Sequence, residues 1–244
     1  MSSVQSVTRA MALLQAVADA PAGLSELARR VDLPVSTASR LLSTLEQAGA
    51  IERVDEIGSF RIGPNIVAMA TSVDAGATLV ALTDEALTEL ASATGESAGL
   101  SVASGYTVRY LAQADTSHTV RIDDWVGHLV PMHLVSSGYA LLAYWGDDAI
   151  DVYLEHELAA TAPASVTDPA RVRARLDQVR TDGLIWTEAE FVDGLTSVAA
   201  PLFNSTGEVV AAIHVHGPSY RFPADRGHVA QRLLATTAAL SPLL

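Results

Sequence analysis

Cysteine and lysine are both absent from this 244-residue chain. Without cysteine there is no disulfide framework, no thiol nucleophile and no cysteine-ligated metal site. Without lysine, all 15 basic residues are arginine. No apolar run approaches the roughly 18 residues that a membrane span needs. The opening residues, Met1-Ser-Ser-Val-Gln-Ser6, carry no basic stretch followed by an apolar core, so no secretory leader is expected. The default is a cytoplasmic protein without membrane contact. Also missing are a Gly-x-Ser-x-Gly elbow, a phosphate loop, a Gly-x-Gly-x-x-Gly turn and a His-Glu-x-x-His pair. No cofactor is therefore expected. Asp123-Asp124 and Asp147-Asp148 are neighbouring carboxylates, the second pair placed to open a helix, where negative charge is favoured. Neither reads as an acid/base pair.

Hydrophobic residues make up 49% of the chain and charged residues 18%, which excludes a wholly disordered or collagen-like polymer. The length allows one or two domains, each able to bury a core. The net charge of −13 is unevenly shared: residues 1–70 hold six Arg against seven acids, and residues 71–244 hold nine Arg against 21 acids. The N-terminal third is thus close to neutral and open to a nucleic-acid partner, while the rest is strongly acidic.

Apolar residues Val4, Val7, Met11, Leu14 and Ala18 recur every three or four positions, predicting an amphipathic helix that Pro21-Ala-Gly23 ends. Ser25 is placed to cap a short helix over Glu26–Val31, with Leu27, Ala28 and Val31 inward. Pro34 suits the first turn of a third helix that runs to about Ala48 and stops at Gly49. Ala38, Leu41, Leu42 and Leu45 form its apolar stripe. Between the second and third helices, Asp32 stands where a left-handed backbone is often required, and Asp tolerates it better than most residues. Ala50–Val54 and Ser59–Ile62 predict a hairpin. Three helices and a hairpin make a winged helix-turn-helix over residues 1–62.

With the stripe buried, the third helix exposes Val35, Ser36, Thr37, Ser39, Arg40, Ser43, Thr44 and Gln47. Hydroxyls of this kind bond phosphates or base edges, and Arg bridges guanine O6 and N7. Arg53 and Arg61 stand on the wing. Together with Ser25, Val35, Ser36, Thr37, Ser39, Arg40, Ser43 and Thr44 they are the DNA-facing candidates. The alternatives are a solvated face on a packing helix and, for the two wing arginines, plain surface charge.

A linker helix follows over residues 63–78, running to about Asp74, with Ala75–Thr78 expected as a break. The larger domain, 79–244, begins with a helix over Leu79–Thr94. Strands are predicted at Ala98–Ala103, Thr107–Ala114, His118–Asp123 and Val126–Val130, and helices at Ser137–Trp145, Asp147–His156 and Pro169–Thr181. Strands at Ser197–Phe203 and Glu208–His216 precede a last helix at Ala224–Leu240. Hairpins with helices grouped around them imply an α+β domain on an antiparallel sheet.

The segment Leu24–Gly49 and the wing followed by Phe60-Arg-Ile-Gly-Pro64 resemble the DNA-binding domain of IclR-type bacterial transcription regulators. The resemblance continues through Pro131–Ala143, Val179–Leu184, Gly194–Pro201 and Gly207–Pro218, and so spans nearly the whole chain. It implies a GAF-like effector domain, an antiparallel sheet flanked by helices, behind the DNA reader. It also implies double-stranded operator DNA and a small-molecule effector, often a carboxylate, as partners, and a homodimer or dimer of dimers. Carried onto this chain, the family's effector positions are Ser136 and Ser137, Leu195 and Ser197, and His214 and His216. The chain departs from the family in three places. His-Val-His stands where small or hydroxyl residues are common. Gly138-Tyr139-Ala140 replaces a frequent Gly-Lys-Ala, and Val35 replaces a basic residue.

Alternation on a strand puts His214 and His216 on one face with Val210 beside them, and Ile213 and Val215 on the other. Two imidazoles there suit a carboxylate, more strongly when protonated. Three readings stay open: contact with an effector, a hydrogen-bonded structural pair, or two ligands of a metal completed by His133 or Glu190. Three hydroxyls and two imidazoles favour a small organic anion, with Tyr139 and Trp186 expected as a flat wall. The function expected is a ligand-responsive transcription regulator. An enzyme, or a metal sensor built on the histidine strand, is the alternative.

Overall fold

The structure, a computed structural model, describes residues 4–54, 58–72, 75–119, 122 and 124–244. The chain divides into two compact units, residues 1–75 and 76–244.

The first unit holds helix α1 (Gln5–Asp19), strand β1 (Ala22–Gly23), helices α2 (Leu24–Arg30) and α3 (Val35–Gln47), strands β2 (Ile51–Val54) and β3 (Ser59–Ile62), and helix α4 (Pro64–Ser72). The strands form one antiparallel sheet in the order β1-β3-β2. Leu13, Val17, Leu27, Ala28, Ala38, Leu42, Ile51 and Phe60 share its core. Between α2 and α3 the backbone turns at Asp32 with φ +50°, as the sequence suggests. Gly49, at φ +65°, closes α3 while Ala50 N–H donates back to Leu45 at 2.9 Å. That bond satisfies a carbonyl the helix end leaves open.

Three local expectations change. Helix α1 buries Leu13, Ala16 and Val17, and leaves Val4, Val7 and Met11 at 64, 59 and 59% exposure. It carries two apolar stripes, and contact with α3 selects the one that apolar spacing alone does not single out. Ser25 lies within α2, exposed, and makes no capping bond; Gly23 precedes the helix. Pro34 sits one residue ahead of α3, where its carbonyl accepts from Thr37 and Ala38.

The second unit comprises helix α5 (Ala75–Thr94), strands β4 (Ser97–Ser104), β5 (Thr107–Ala114) and β6 (Leu129–Pro131), and a 3-10 turn at Met132–Leu134. Helices α6 (Ser136–Leu142), α7 (Asp147–Glu155) and α8 (Pro169–Asp182) follow. Strands β7 (Ile185–Glu188), β8 (Leu195–Phe203) and β9 (Val209–Pro218) and helix α9 (Arg226–Leu240) complete it. All six strands pair antiparallel in the order β6-β5-β4-β9-β8-β7. One face, with Val198, Ala200, Ile213 and Val215, packs on Leu87 and Leu90 of α5 and Val229 and Leu233 of α9. The other, with Val108, Tyr110, Ala199 and Ala212, packs on α6, α7 and α8. This is a mixed α+β architecture behind a winged helix-turn-helix.

Helix α5 begins at Ala75, so the expected break at Ala75–Thr78 is helical. Residues 120, 121 and 123 of the strand expected at His118–Asp123 lie outside the described residues, and His118, Thr119 and Ile122 are not in a strand. The strand expected from Val126 starts at Leu129, because Gly127 turns at φ +83° with its N–H on the Tyr110 carbonyl. Strand β7 is an addition, too short for alternation to declare it. Asp147 and Asp148 do open a helix, in the first turn of α7.

Candidate functional site

On the first unit, Val35, Ser36, Ser39, Arg40, Ser43 and Thr44 are exposed along α3 and Thr37 is half-buried, while Ala38 and Leu42 lie in the core. A groove of about 620 Å³ runs beside this face, lined by Thr37, Ser39, Arg40, Ser43 and Thr44 and by Gln5, Ser6 and Arg9 of α1. The sequence does not single out the α1 residues, because the apolar spacing of their helix speaks only to packing.

The arginines of this unit fall into two groups. Arg29 and Arg30 pair with Glu26, Arg53 pairs with Glu46 at 3.1 Å, and Arg61 pairs with its cross-strand partner Glu52 at 2.6 Å. Arg53 also covers the Phe60 ring. Among the described residues, Arg9 and Arg40 have no carboxylate partner, and both line the groove. The two wing arginines are thus tied to acids, while the α1–α3 groove holds two guanidinium groups without a counter-charge.

The second unit gathers Ser136, Ser137, Leu195, Ser197, His214 and His216 around one pocket, with Tyr110, Trp125, Val135 and Phe191 completing its wall. Sheet register explains the convergence. His214 pairs with Gly99 and Ala199, and His216 with Ser97 and Ser197, so these side chains share a face. Helix α6 is seated against the 3-10 turn at Gly138, where a Cβ would come within 2.0 Å of the Met132 carbonyl oxygen. That close approach carries Ser136 and Ser137 to the strands.

Inside the pocket, Ser136 and Ser197 satisfy each other and Thr187. Ser136 Oγ and Ser197 Oγ are 2.7 Å apart, and Ser197 Oγ and Thr187 Oγ1 2.9 Å. The histidines are different. His214 and His216 are 3 and 4% exposed, yet both ring nitrogens of His214 and Nε2 of His216 are without a hydrogen-bond partner. Their rings stack at 5.5 Å, and Tyr110 meets His214 edge-on at 5.2 Å. Burial holds the His214 pKa well below the usual imidazole value, and the charge of His216 adds to this. Burial brings His216 to about 4 against an opposing pull from Asp115. Both are neutral at pH 7. Burial likewise pushes the Tyr110 hydroxyl up to about 12, which Ser137 partly offsets. The space enclosed is about 20 Å³, room for about one water, and the Trp125 and Phe191 rings meet edge-on at 5.4 Å.

The expected flat wall is corrected. Trp186 pairs with Val198 and so lies on the opposite face, against Phe222 and Arg226. Tyr139 is fully buried in the core beneath the Arg175 guanidinium. Tyr110, Trp125 and Phe191 supply the aromatic surface. His133 and Glu190 do not join the histidine pair either. His133 bonds Tyr153 and the Ala159 carbonyl, and Glu190 bonds Arg175. Among the described residues no group of three or more His, Cys, Asp or Glu is placed to hold a metal. Nor does any helix among them have the length and apolarity to cross a membrane.

Residues 6–55 match the IclR helix-turn-helix domain, and residues 72–242 match the C-terminal domain of bacterial IclR transcriptional regulators. The transcriptional repressor IclR of Escherichia coli K12 is 31% identical over 228 residues, which cover 91% of this chain and 83% of the repressor. The crystal structure of an IclR-type regulator from Silicibacter sp. TM1040 superposes with a TM-score of 0.76 at 30% identity, covering 96% of this chain and 94% of that one. An IclR homologue from Microbacterium hydrocarbonoxydans, solved in complex with 4-hydroxybenzoate, has the same fold, with a TM-score of 0.63 at 23% identity over 97% of each chain. A DNA-reading helix-turn-helix and a ligand-type pocket on one chain, with both domain matches, make this protein a member of the IclR family of bacterial transcriptional regulators.

Proposed function

We propose that this regulator reads operator DNA through α3, with Ser36, Thr37, Ser39, Arg40, Ser43 and Thr44 at the groove floor and phosphates, and that a small, flat organic acid in the second unit changes that reading. The single observation that carries the proposal is the pair of buried histidines, of which both nitrogens of His214 and Nε2 of His216 find no partner inside the protein. An unpaired buried polar group costs about 1–3 kcal/mol, so a ligand that pairs them gains what the fold forgoes. A receptor is favoured over a reaction centre, since Ser136 and Ser197 bond each other and Thr187 and not a base. Aromatic walls at Tyr110, Trp125 and Phe191 favour a planar guest, for which the pocket, about 20 Å³ as it stands, has to open, and the Microbacterium homologue's 4-hydroxybenzoate makes that acid a natural first probe.

The reader extends over residues 1–62, the linker over 63–78 and the receptor over 79–244. One reader contacts one half-site, so the working form is a homodimer or a dimer of dimers. The exposed apolar positions Val7 and Met11 on α1, Val4 just ahead of it, and Val67 on α4 are suited to cover by a second copy. The test is a thermal-shift screen of small carboxylic acids on the full chain, repeated with His216→Ala. A stabilising acid whose effect vanishes in the variant supports the reading. Stabilisation that is the same in both removes the histidines from the site.

A further inference from the structure

The effector pocket encloses no permanent positive charge among the described residues. Its walls are aromatic, aliphatic and hydroxyl side chains and the two imidazoles. A carboxylate taken out of water into such a site is strongly disfavoured unless a counter-charge meets it. Among the described residues, the wall groups able to acquire positive charge are His214 and His216.

The hydrogen-bond inventory gives the same answer independently. A neutral imidazole offers one donor and one acceptor, whereas an ionised carboxylate only accepts. Both nitrogens of His214 lack partners. A carboxylate therefore pairs only with a nitrogen that carries hydrogen, which a neutral ring offers on one side and a protonated ring on both. Protonation makes whichever nitrogen faces the ligand a charged donor, and charge-assisted bonds are the stronger ones.

We propose that a small carboxylate enters this pocket together with one proton, which the His214–His216 pair holds as a single imidazolium. The regulator then responds jointly to acid concentration and to pH. This rests on the effector reading above and adds the stoichiometry of its ligand. The balance is one carboxylate anion plus one proton taken from solution onto one ring nitrogen, leaving the occupied pocket with no net charge change. One proton enters and not two, because the rings stack at 5.5 Å and a second positive charge there is repelled.

Among the described residues the titratable neighbours are these. On β5 the Tyr110 hydroxyl stays protonated, and just beyond that strand Asp115 favours charge on His216. The α6 and β8 neighbours are hydroxyls. The Glu96–Arg221 ion pair lies against Gly217, whose side-chain direction is opposite to that of His216. In the closed pocket, burial keeps both rings neutral, so the proton arrives with the ligand.

The experiment is titration calorimetry on the full chain with acetate, glycolate, succinate, benzoate and 4-hydroxybenzoate, each in two buffers of different ionisation enthalpy, from pH 6 to 8. For any acid that binds, the expected result is uptake of about one proton. Its affinity should fall about tenfold per pH unit above the bound-state pKa, while the matching amide shows no such slope. His214→Gln and His216→Gln, checked for folding by thermal melting, should lose the uptake. The buffer comparison on the unaltered protein stands even if those variants fail to fold. Binding of an acid with no proton uptake overturns this inference while leaving the effector reading intact. If none of the acids binds at pH 6, the effector reading fails and this inference with it.

Discussion

His214 and Gly99 face each other across β9 and β4, and a methyl group on Gly99 would stand 2.6 Å from both Cε1 and Nε2 of the imidazole. The ring occupies the space where a cross-strand neighbour's side chain would be. His216 stacks on one side of it and Tyr110 meets it edge-on. Packing positions this histidine and hydrogen bonds do not, so its polar atoms remain available to something else.

Gly99→Ala should therefore displace the ring. Overpacking of this kind costs about 1–3 kcal/mol, giving a lower melting temperature by calorimetry. Affinity for any acid that binds the parent protein should fall by about tenfold or more, since alignment of the pair is lost. Unchanged melting and unchanged affinity would show that the ring does not depend on the glycine.

On the DNA side, Arg40→Ala should weaken specific binding by about 1–3 kcal/mol if the guanidinium reads a base pair. Arg9→Ala should weaken binding to all sequences alike and reduce the salt slope by about one, as expected for a phosphate contact. Arg53→Ala and Arg61→Ala should cost less than Arg40→Ala, because each of those arginines must first leave Glu46 or Glu52. Exposed pairs are worth only about 0–1 kcal/mol, so that difference is modest. Anisotropy titrations at matched salt decide the order, and equal affinity for Arg40→Ala and parent would remove Arg40 from the interface.

The histidine pair also sets a pH dependence of stability. Both folded pKa values lie below the unfolded value of about 6.5, His216 at about 4 and His214 lower than usual. Between those values the unfolded chain binds more protons, so stability is complete above about pH 6.5 and is lost as pH falls toward about 4. Burial of His133 acts in the same direction. Glu190, whose carboxyl burial raises, acts in the opposite one. Melting curves from pH 7.5 to 4.5 should show the decline, and the double variant His214→Gln/His216→Gln should flatten it. A slope identical in both proteins would assign the decline elsewhere.

Much of this molecule is legible in its sequence where period and punctuation agree. The Ala38, Leu41, Leu42, Leu45 stripe and the breaks at Asp32 and Gly49 predict α3 and its outward face. Alternation alone places His214 and His216 together with Ile213 and Val215 opposite. Where two answers satisfy the same pattern, sequence cannot choose, as with the two apolar stripes of α1. The aromatic walls failed for another reason. Tyr110, Trp125 and Phe191 come from three distant segments that only the sheet order brings together. Trp186 is near the motifs in sequence but shares its face with Val198 and not with Ser197. Nor does composition reveal that Ser136 and Ser197 bond each other while the imidazole nitrogens of His214 stay unpaired.

The most direct test of ligand-responsive regulation is the affinity of the full chain for an operator fragment selected from genomic DNA by the protein itself. It is measured by fluorescence anisotropy with and without an acid that stabilises the fold. Coupling between two sites typically amounts to about 5–150-fold in affinity. A shift within that range, present in the parent and absent in His216→Ala, is the result predicted here. An acid that raises the melting temperature through the histidine pocket while leaving operator affinity unchanged would contradict it.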